Sequence, residues 1–341
     1  EFRARFFVMT ATLPTLLRQS ISDAISEHTV IEASAETYRE FHRHRIVPVD
    51  GDLLDRLALV ADCANRGLSV LVCCNTVQRA QDAWEELTER LPDTEVVLLH
   101  GRFTGRDRLA KEDVVREATG AKSERRRPIV LVATQVVEVS LDIDLDTIFT
   151  DPAPLEALLQ RFGRINRRRR QSDLAPVHVF REPTDGQGIY DADLVRAALA
   201  IIDGAANEPL DEAGVGGWLD QVYTGDVRAR WEEKFRRSLK DGERILQGLH
   251  PFHSDESLAE QFEAAFDSVE VLPSTLHSEY HRLNEVDPVL ASALLVPISE
   301  RSWRRLAKEG LLDARSRPHV VNLPYTSELG LDLSKARGTS E

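Results

Sequence analysis

The chain has 341 residues, enough for two domains or slightly more at about 150 residues each. Apolar residues make up 42% and charged residues 29%, ordinary for a soluble globular protein, and no apolar run approaches the ~18 residues that cross a bilayer, which excludes a membrane span. The balance of 43 cations against 57 anions leaves −14, which argues against a surface that coats nucleic acid everywhere but leaves room for a local basic channel.

In chain order, residues 6–12 read as a buried strand ending in Thr10-Ala11-Thr12, followed by a helix over 13–27. A strand is expected near 45–49 and a helix over 52–65, stopped by Gly67. The apolar run 69–74 reads as a parallel strand covered on both faces. On that strand the adjacent Cys73 and Cys74 point to opposite sides, as core residues. Thr76 caps a helix through Arg90, and strands follow at 95–99, 129–133 and 147–150. A helix over 155–165 and a strand over 177–180 complete the alternation. Strands alternating with helices predict an α/β fold, a parallel sheet with helices on both faces.

Beyond residue 183 that regularity ends. Helices are expected over 191–202 and 227–249, the latter with Val227, Trp231, Phe235 and Leu239 spaced by four. Leu258, Phe262 and Phe266 repeat that spacing, 291–298 reads as a strand and 299–309 as a helix. The expected division is therefore 1–35, 36–183, a linker with a long helix over 184–250, and a mostly helical accessory domain over 251–341. Three Cys residues make no disulfide framework and point to a reducing compartment, the cytoplasm. The chain starts without Met and has no signal-peptide apolar segment, as expected for a piece of a longer protein.

The chemistry concentrates in two blocks. One is Val132-Ala-Thr-Gln-Val-Val-Glu-Val-Ser-Leu-Asp-Ile-Asp144; the other is Leu158-Leu-Gln-Arg-Phe-Gly-Arg-Ile-Asn-Arg167, with Asp151-Pro-Ala-Pro154 between them. Six Arg and no acid lie between Gln160 and Arg170. Arg161, Arg164 and Arg167 recur at steps of three, which predicts three guanidiniums on one helical face. Such a face suits an anion such as a triphosphate, or else pairs with the abundant carboxylates. Gly163 would let backbone or ligand approach closely.

These blocks resemble motifs V and VI of the superfamily 2 helicases. Thr10-Ala11-Thr12 resembles motif III, Val70 to Thr76 resembles motif IV, and Leu98-Leu-His-Gly-Arg102 resembles the segment that meets the nucleic-acid backbone. The wording Thr-Gln-Val-Val-Glu-Val-Ser-Leu-Asp-Ile-Asp with Gln160-Arg-Phe-Gly-Arg-Ile-Asn-Arg167 is similar to the signature helicase–nuclease of type I CRISPR systems. The resemblance implies two RecA-like lobes, with residues 1–35 ending the first and 36–183 forming the second. It implies Arg164 and Arg167 as arginine fingers, with Gln160, Asp142 and Gly163 at the ATP. It implies Thr134, Asn75, Thr76, His100 and Arg102 toward the nucleic acid, and Thr10 and Thr12 coupling the two tracks. It implies ATP and Mg²⁺ as cofactors, bound mainly by the first lobe. The implied partners are single-stranded DNA, an RNA-guided surveillance complex, and a first lobe and nuclease domain outside this sequence, with no membrane.

The sequence has no Gly-x-x-x-x-Gly-Lys-Ser/Thr, no Asp-Glu-x-His or Asp-Glu-Ala-Asp block and no His-Asp dipeptide, so this chain alone is expected not to hydrolyse ATP. Two other readings compete: a superfamily 2 helicase of RNA metabolism or DNA repair, and a non-catalytic nucleic-acid-binding adaptor. Motif VI argues against the adaptor, since a docking module needs no arginine fingers. No metal site is expected. His277 and His281 are two residues at chelating spacing, but without an evident third ligand they read as surface histidines on an amphipathic helix.

Overall fold

The computed structural model describes residues 7–10, 13–25, 27–120, 122–139, 141–248 and 268–334. Six strands form its main sheet: β1 (His44–Asp52), β2 (Val70–Cys73), β3 (Val96–Leu99), β4 (Val130–Ala133), β5 (Thr147–Thr150) and β6 (Ala175–Glu182). Their order is β1-β6-β5-β2-β4-β3, and every pairing is parallel. The four residues of β2 are all buried because both faces are covered. Val70, Val72 and Cys74 enter one core cluster, and Leu71 and Cys73 enter the other.

Two short helices, α1 (Thr15–Ala24) and α2 (Ala35–Glu40), precede the sheet. Helices α3 (Leu57–Asn65) and α4 (Val77–Arg90) cover one face through Leu57, Val60, Ala80, Ala83 and Leu87. The other face is covered by α5 (Gly105–Thr119), α6 (Leu155–Phe162), α7 (Ala192–Gly204) and α8 (Val215–Val222). This is the RecA-like layering the alternating pattern predicts.

The differences have local causes. The strand expected over 6–12 is not one among the described residues: 7–10 have no ladder partner, and Phe7 and Met9 are each 83% exposed. An inner strand needs ladder partners on both edges, and among the described residues no strand pairs with this segment. The following helix starts at Thr15, whose N–H and Oγ1 donate to Asp220 at 2.9 and 2.6 Å. Helix α5 has no counterpart in the sequence reading, because only Val115, Ala118 and Thr119 of its fifteen residues are buried and the rest carry scattered charge. Helix α8 falls within the stretch expected to be a linker, because Gly216 and Gly217 inside it weaken the helical signal.

After α8, the helix α9 runs from Gly225 to Gly248. Next come β7 (Val269–Pro273), α10 (His277–Asn284), α11 (Pro288–Ser292), β8 (Val296–Ile298) and α12 (Glu300–Lys308). Strands β9 (Leu312–Asp313), β10 (His319–Val321), β11 (Tyr325–Thr326) and β12 (Gly330–Leu331) end the described chain. The expected strand over 291–298 shrinks to its last three residues, because Asp287 and Pro288 start a helix just before it. A four-stranded sheet, β8-β7-β10-β9, thus organises a region expected to be mostly helical. Leu258, Phe262 and Phe266 lie outside the described residues.

Candidate functional site

Parallel strands place their most useful chemistry beyond their carboxyl ends. Here β2 runs into Asn75, β4 into Thr134 and Gln135, and β5 into Asp151. These tips meet around Arg161, which is fully buried. Its five N–H donors all find acceptors. Nε donates to Glu138 Oε1 at 2.9 Å. One terminal nitrogen donates to Thr150 Oγ1 at 2.7 Å and the Asp151 carbonyl at 3.3 Å. The other donates to Asn75 Oδ1 at 3.0 Å and the Tyr190 hydroxyl at 3.1 Å. Beside it Arg79 grips the buried Asp151 carboxylate with two bonds, 3.0 and 2.8 Å, and Asp52 with two more, 3.1 and 2.7 Å. Every buried charge in this cluster has a partner, which is the condition for keeping charges inside a protein.

The three motif VI arginines do not share a helical face, contrary to the spacing argument. Helix α6 ends at Phe162, and Asn166 takes a left-handed φ of 44°, so the chain turns away. Arg161 points inward. Arg164 donates three bonds to motif V carbonyls: Val137 at 2.7 Å, Leu141 at 2.8 Å and Glu138 at 2.7 Å. Burial and the adjacent Arg167 pull its pKa below the usual guanidinium value. Arg167 reaches outward to Asp142 at 3.0 Å, with its side chain 40% exposed and that of Asp142 51%. Its own N–H donates to the buried Asp144 at 2.7 Å. Gln160 is exposed on the last turn of α6. Gly163 has φ −58°, and an added Cβ would meet only the carbonyls of Gln160 and Leu159, at 3.2 and 3.5 Å. Its smallness therefore relieves contact with the last turn of the helix.

The residues assigned to nucleic acid divide sharply. Asn75 and His100 are buried. Asn75 donates from Nδ2 to the Pro152 carbonyl at 2.8 Å and accepts from Arg161, so its side chain is fully engaged inside. His100 accepts the Arg102 N–H at Nδ1, 3.1 Å, and meets the Leu329 carbonyl at Nε2, 3.1 Å. Both side chains are thus held by partners within the chain. Thr76 caps α4 by accepting the Arg79 N–H at 3.3 Å. Thr134 is buried at the end of β4, and its N–H donates to the Leu99 carbonyl at 3.2 Å. Arg102 is partly exposed and carries a further interaction of its own. Thr10 is exposed and likewise has a partner, while Thr12 lies outside the described residues.

Residues 325–331 close over the loop around His100 and Arg102. Gln81 donates to the Leu329 carbonyl at 2.7 Å, Leu331 N–H to the Arg102 carbonyl at 2.9 Å, and Thr104 N–H to the Tyr325 hydroxyl at 3.1 Å. Tyr325 in turn donates to Asp107 at 2.6 Å. Gly330, at φ +73°, leaves no room: a Cβ would stand 2.7 Å from the Arg102 carbonyl oxygen and 2.7 Å from His100 Cε1. A Gly330→Ala variant should lose about 1–3 kcal/mol from backbone strain and displaced packing. Thermal melting against the parent chain reads that loss.

The buried histidines set a pH dependence. Burial, with Arg43 adding to it, lowers His44 to about 4; burial, with Arg102 adding to it, lowers His100 to about 3. Unfolding returns each to the ordinary value near 6.5, so the unfolded chain binds protons first. The stability held above pH 6.5 should fall as the pH drops toward 4, by up to about 1.4 kcal/mol per pH unit for each histidine. Urea unfolding at pH 7 and pH 5 checks this, and His100→Gln should flatten the slope.

The sequence reading missed Arg161 as a hub, and with it Arg79, Asp151, Glu138, Asp144 and Tyr190. The Asp-Pro after β5 and an Arg in the first turn of α4 were the available signals. Tyr190 gave none, because it arrives from beyond the sheet.

Residues 66–170 match the family model described as CRISPR-associated nuclease/helicase Cas3, C-terminal. The chain is 40% identical over 141 residues to the CRISPR-associated endonuclease/helicase Cas3 of Escherichia coli K12, covering 40% of this chain and 16% of that protein. It is 26% identical over 262 residues to the CRISPR-associated nuclease/helicase Cas3 of Methanothermobacter thermautotrophicus, covering 71% and 30%. The chain thus spans under a third of the length of these relatives. Among solved structures, T. fusca Cas3 with ADP superposes with TM-score 0.62 at 20% identity, covering 91% of this chain and 42% of that one. A chain of a CRISPR RNA-guided surveillance complex, pre-nicking, superposes with TM-score 0.60 at 22% identity, covering 85% and 42%. At these identities the superpositions establish the fold.

Proposed function

We propose that this chain, which carries the Cas3-like C-terminal helicase domain, supplies the second RecA-like lobe of an ATP-dependent single-stranded DNA translocase in CRISPR interference. The observation that carries this reading is the joint between motifs V and VI. Arg164 pins motif V by three carbonyls, and the Asp142–Arg167 pair stands exposed beside it. An exposed ion pair is worth little, so it opens readily when a stronger partner arrives. The residues present fit half of a nucleotide site: a partly exposed guanidinium, paired with Asp142, for terminal phosphate oxygens and that carboxylate for ribose hydroxyls, without a glycine-rich cradle.

Bound ATP and Mg²⁺ supply the phosphoryl-transfer chemistry. In the intact enzyme Arg167 leaves Asp142 for the phosphate charge, Asp142 turns to the ribose, and Gln160 stands at the same edge. The P-loop comes from a first lobe. Arg102 and the Thr134 strand end face the DNA track, with Thr10 and Thr12 coupling the two. Recruitment falls to an RNA-guided surveillance complex, and the strand passes to a nuclease domain.

Phosphate release measured with single-stranded DNA and with RNA tests this reading. The full-length enzyme should respond to DNA, and residues 1–341 alone should stay silent. Equal stimulation by RNA would overturn the substrate assignment, and DNA-stimulated turnover by residues 1–341 would overturn the need for a first lobe.

A further inference from the structure

Away from the motif cluster, α10 carries two exposed imidazoles one turn apart, His277 and His281. Spacing of four places both on one helical face. Their Nε2 atoms are 3.2 Å apart, and the rings are tilted by 62° with centroids 4.4 Å apart. The rings therefore do not stack, and their Nε2 atoms are brought close together. The Tyr280 ring meets His281 at 89°, with centroids 5.7 Å apart.

Two nitrogens each about 2.05 Å from one ion lie about 3.3 Å apart at a tetrahedral angle and about 2.9 Å apart at a right angle. The observed separation matches the first. We propose that His277 and His281 chelate one divalent ion of the zinc or cobalt class through their Nε2 atoms, with water completing the tetrahedron. Without the ion, the two Nε2 atoms stand within hydrogen-bond distance, 3.2 Å, with donor and acceptor set by the tautomers. Coordination needs both Nε2 lone pairs, so each ring would carry its hydrogen on Nδ1 when the ion is bound.

The neighbourhood sets the character of the site. Glu279 on the same helix is held by Arg106 at 2.7 Å and is not a third ligand. Among the described residues no group of three or more His, Cys, Asp or Glu is arranged to hold a metal ion. The site is thus open and exchangeable, unlike the closed four-ligand sites that hold folds together. Its free positions suit a further ligand from outside the chain.

Isothermal titration of zinc chloride into residues 1–341, in a non-coordinating buffer at pH 7.5, tests the proposal. The parent chain should bind one ion at its strongest site, and His277→Gln and His281→Gln should each weaken that site at least tenfold. Both positions are exposed, so an unchanged circular dichroism spectrum confirms that the variants fold. With cobalt, the visible absorption of a tetrahedral centre should appear in the parent and vanish in both variants. An isotherm unchanged in either variant would overturn the chelate, because binding would then need at most one imidazole.

Discussion

Replacing Arg161 with Met should destabilise residues 1–341 by about 3–5 kcal/mol, the usual cost of removing one partner of a buried charge network. The substitution keeps most of the side-chain volume, so the loss is electrostatic. Glu138 would remain largely buried with its main counter-charge gone, its side chain being 13% exposed. The Asn75, Thr150 and Tyr190 oxygens would each lose a donor. Urea unfolding should show the midpoint falling by on the order of 1–2 M at constant slope. Arg161→Lys should recover little, because an ammonium offers three donors from one point where the guanidinium spreads five. Full recovery by Lys would mean that the five-acceptor arrangement contributes nothing specific.

That hub shows where sequence reasoning ends. The parallel sheet was legible because its strands are short apolar runs with helical patterns between them, and 147–150 was placed to the residue. The motif blocks were legible because their residue types recur at set positions along one stretch. Which arginine points where was not legible. Arg161, Arg164 and Arg167 have equal spacing, but α6 stops after Phe162 and Asn166 turns left-handed, which sends one inward, one across and one out. Nothing in the local pattern specifies that break. The surroundings of His100 were not legible for another reason: they depend on Leu329 and Gly330, more than two hundred residues later. The accessory sheet was missed because strands of two to five residues carry almost no periodic signal.

If Arg167 is the arginine finger of the proposed translocase, Arg167→Ala in the intact protein should lower DNA-stimulated ATP turnover by about 10³–10⁵, the range for losing such a finger in phosphoryl transfer. Its side chain is partly exposed and, among the described residues, pairs with Asp142, so the fold should be unaffected. Arg164→Ala should also nearly abolish turnover while leaving DNA affinity within a few-fold. It differs in one respect: the Val137, Glu138 and Leu141 carbonyls lose their donors. Hydrogen exchange in motif V should therefore rise in Arg164→Ala and stay unchanged in Arg167→Ala. Arg102→Ala should instead weaken DNA binding for all sequences and reduce the salt slope by about one unit, as one lost phosphate contact requires. The three variants separate three roles that the sequence presents as similar cations. If Arg167→Ala lowered DNA affinity and its salt slope while sparing turnover at saturating DNA, the exposed guanidinium would belong to the DNA channel, and the finger would have to be sought elsewhere.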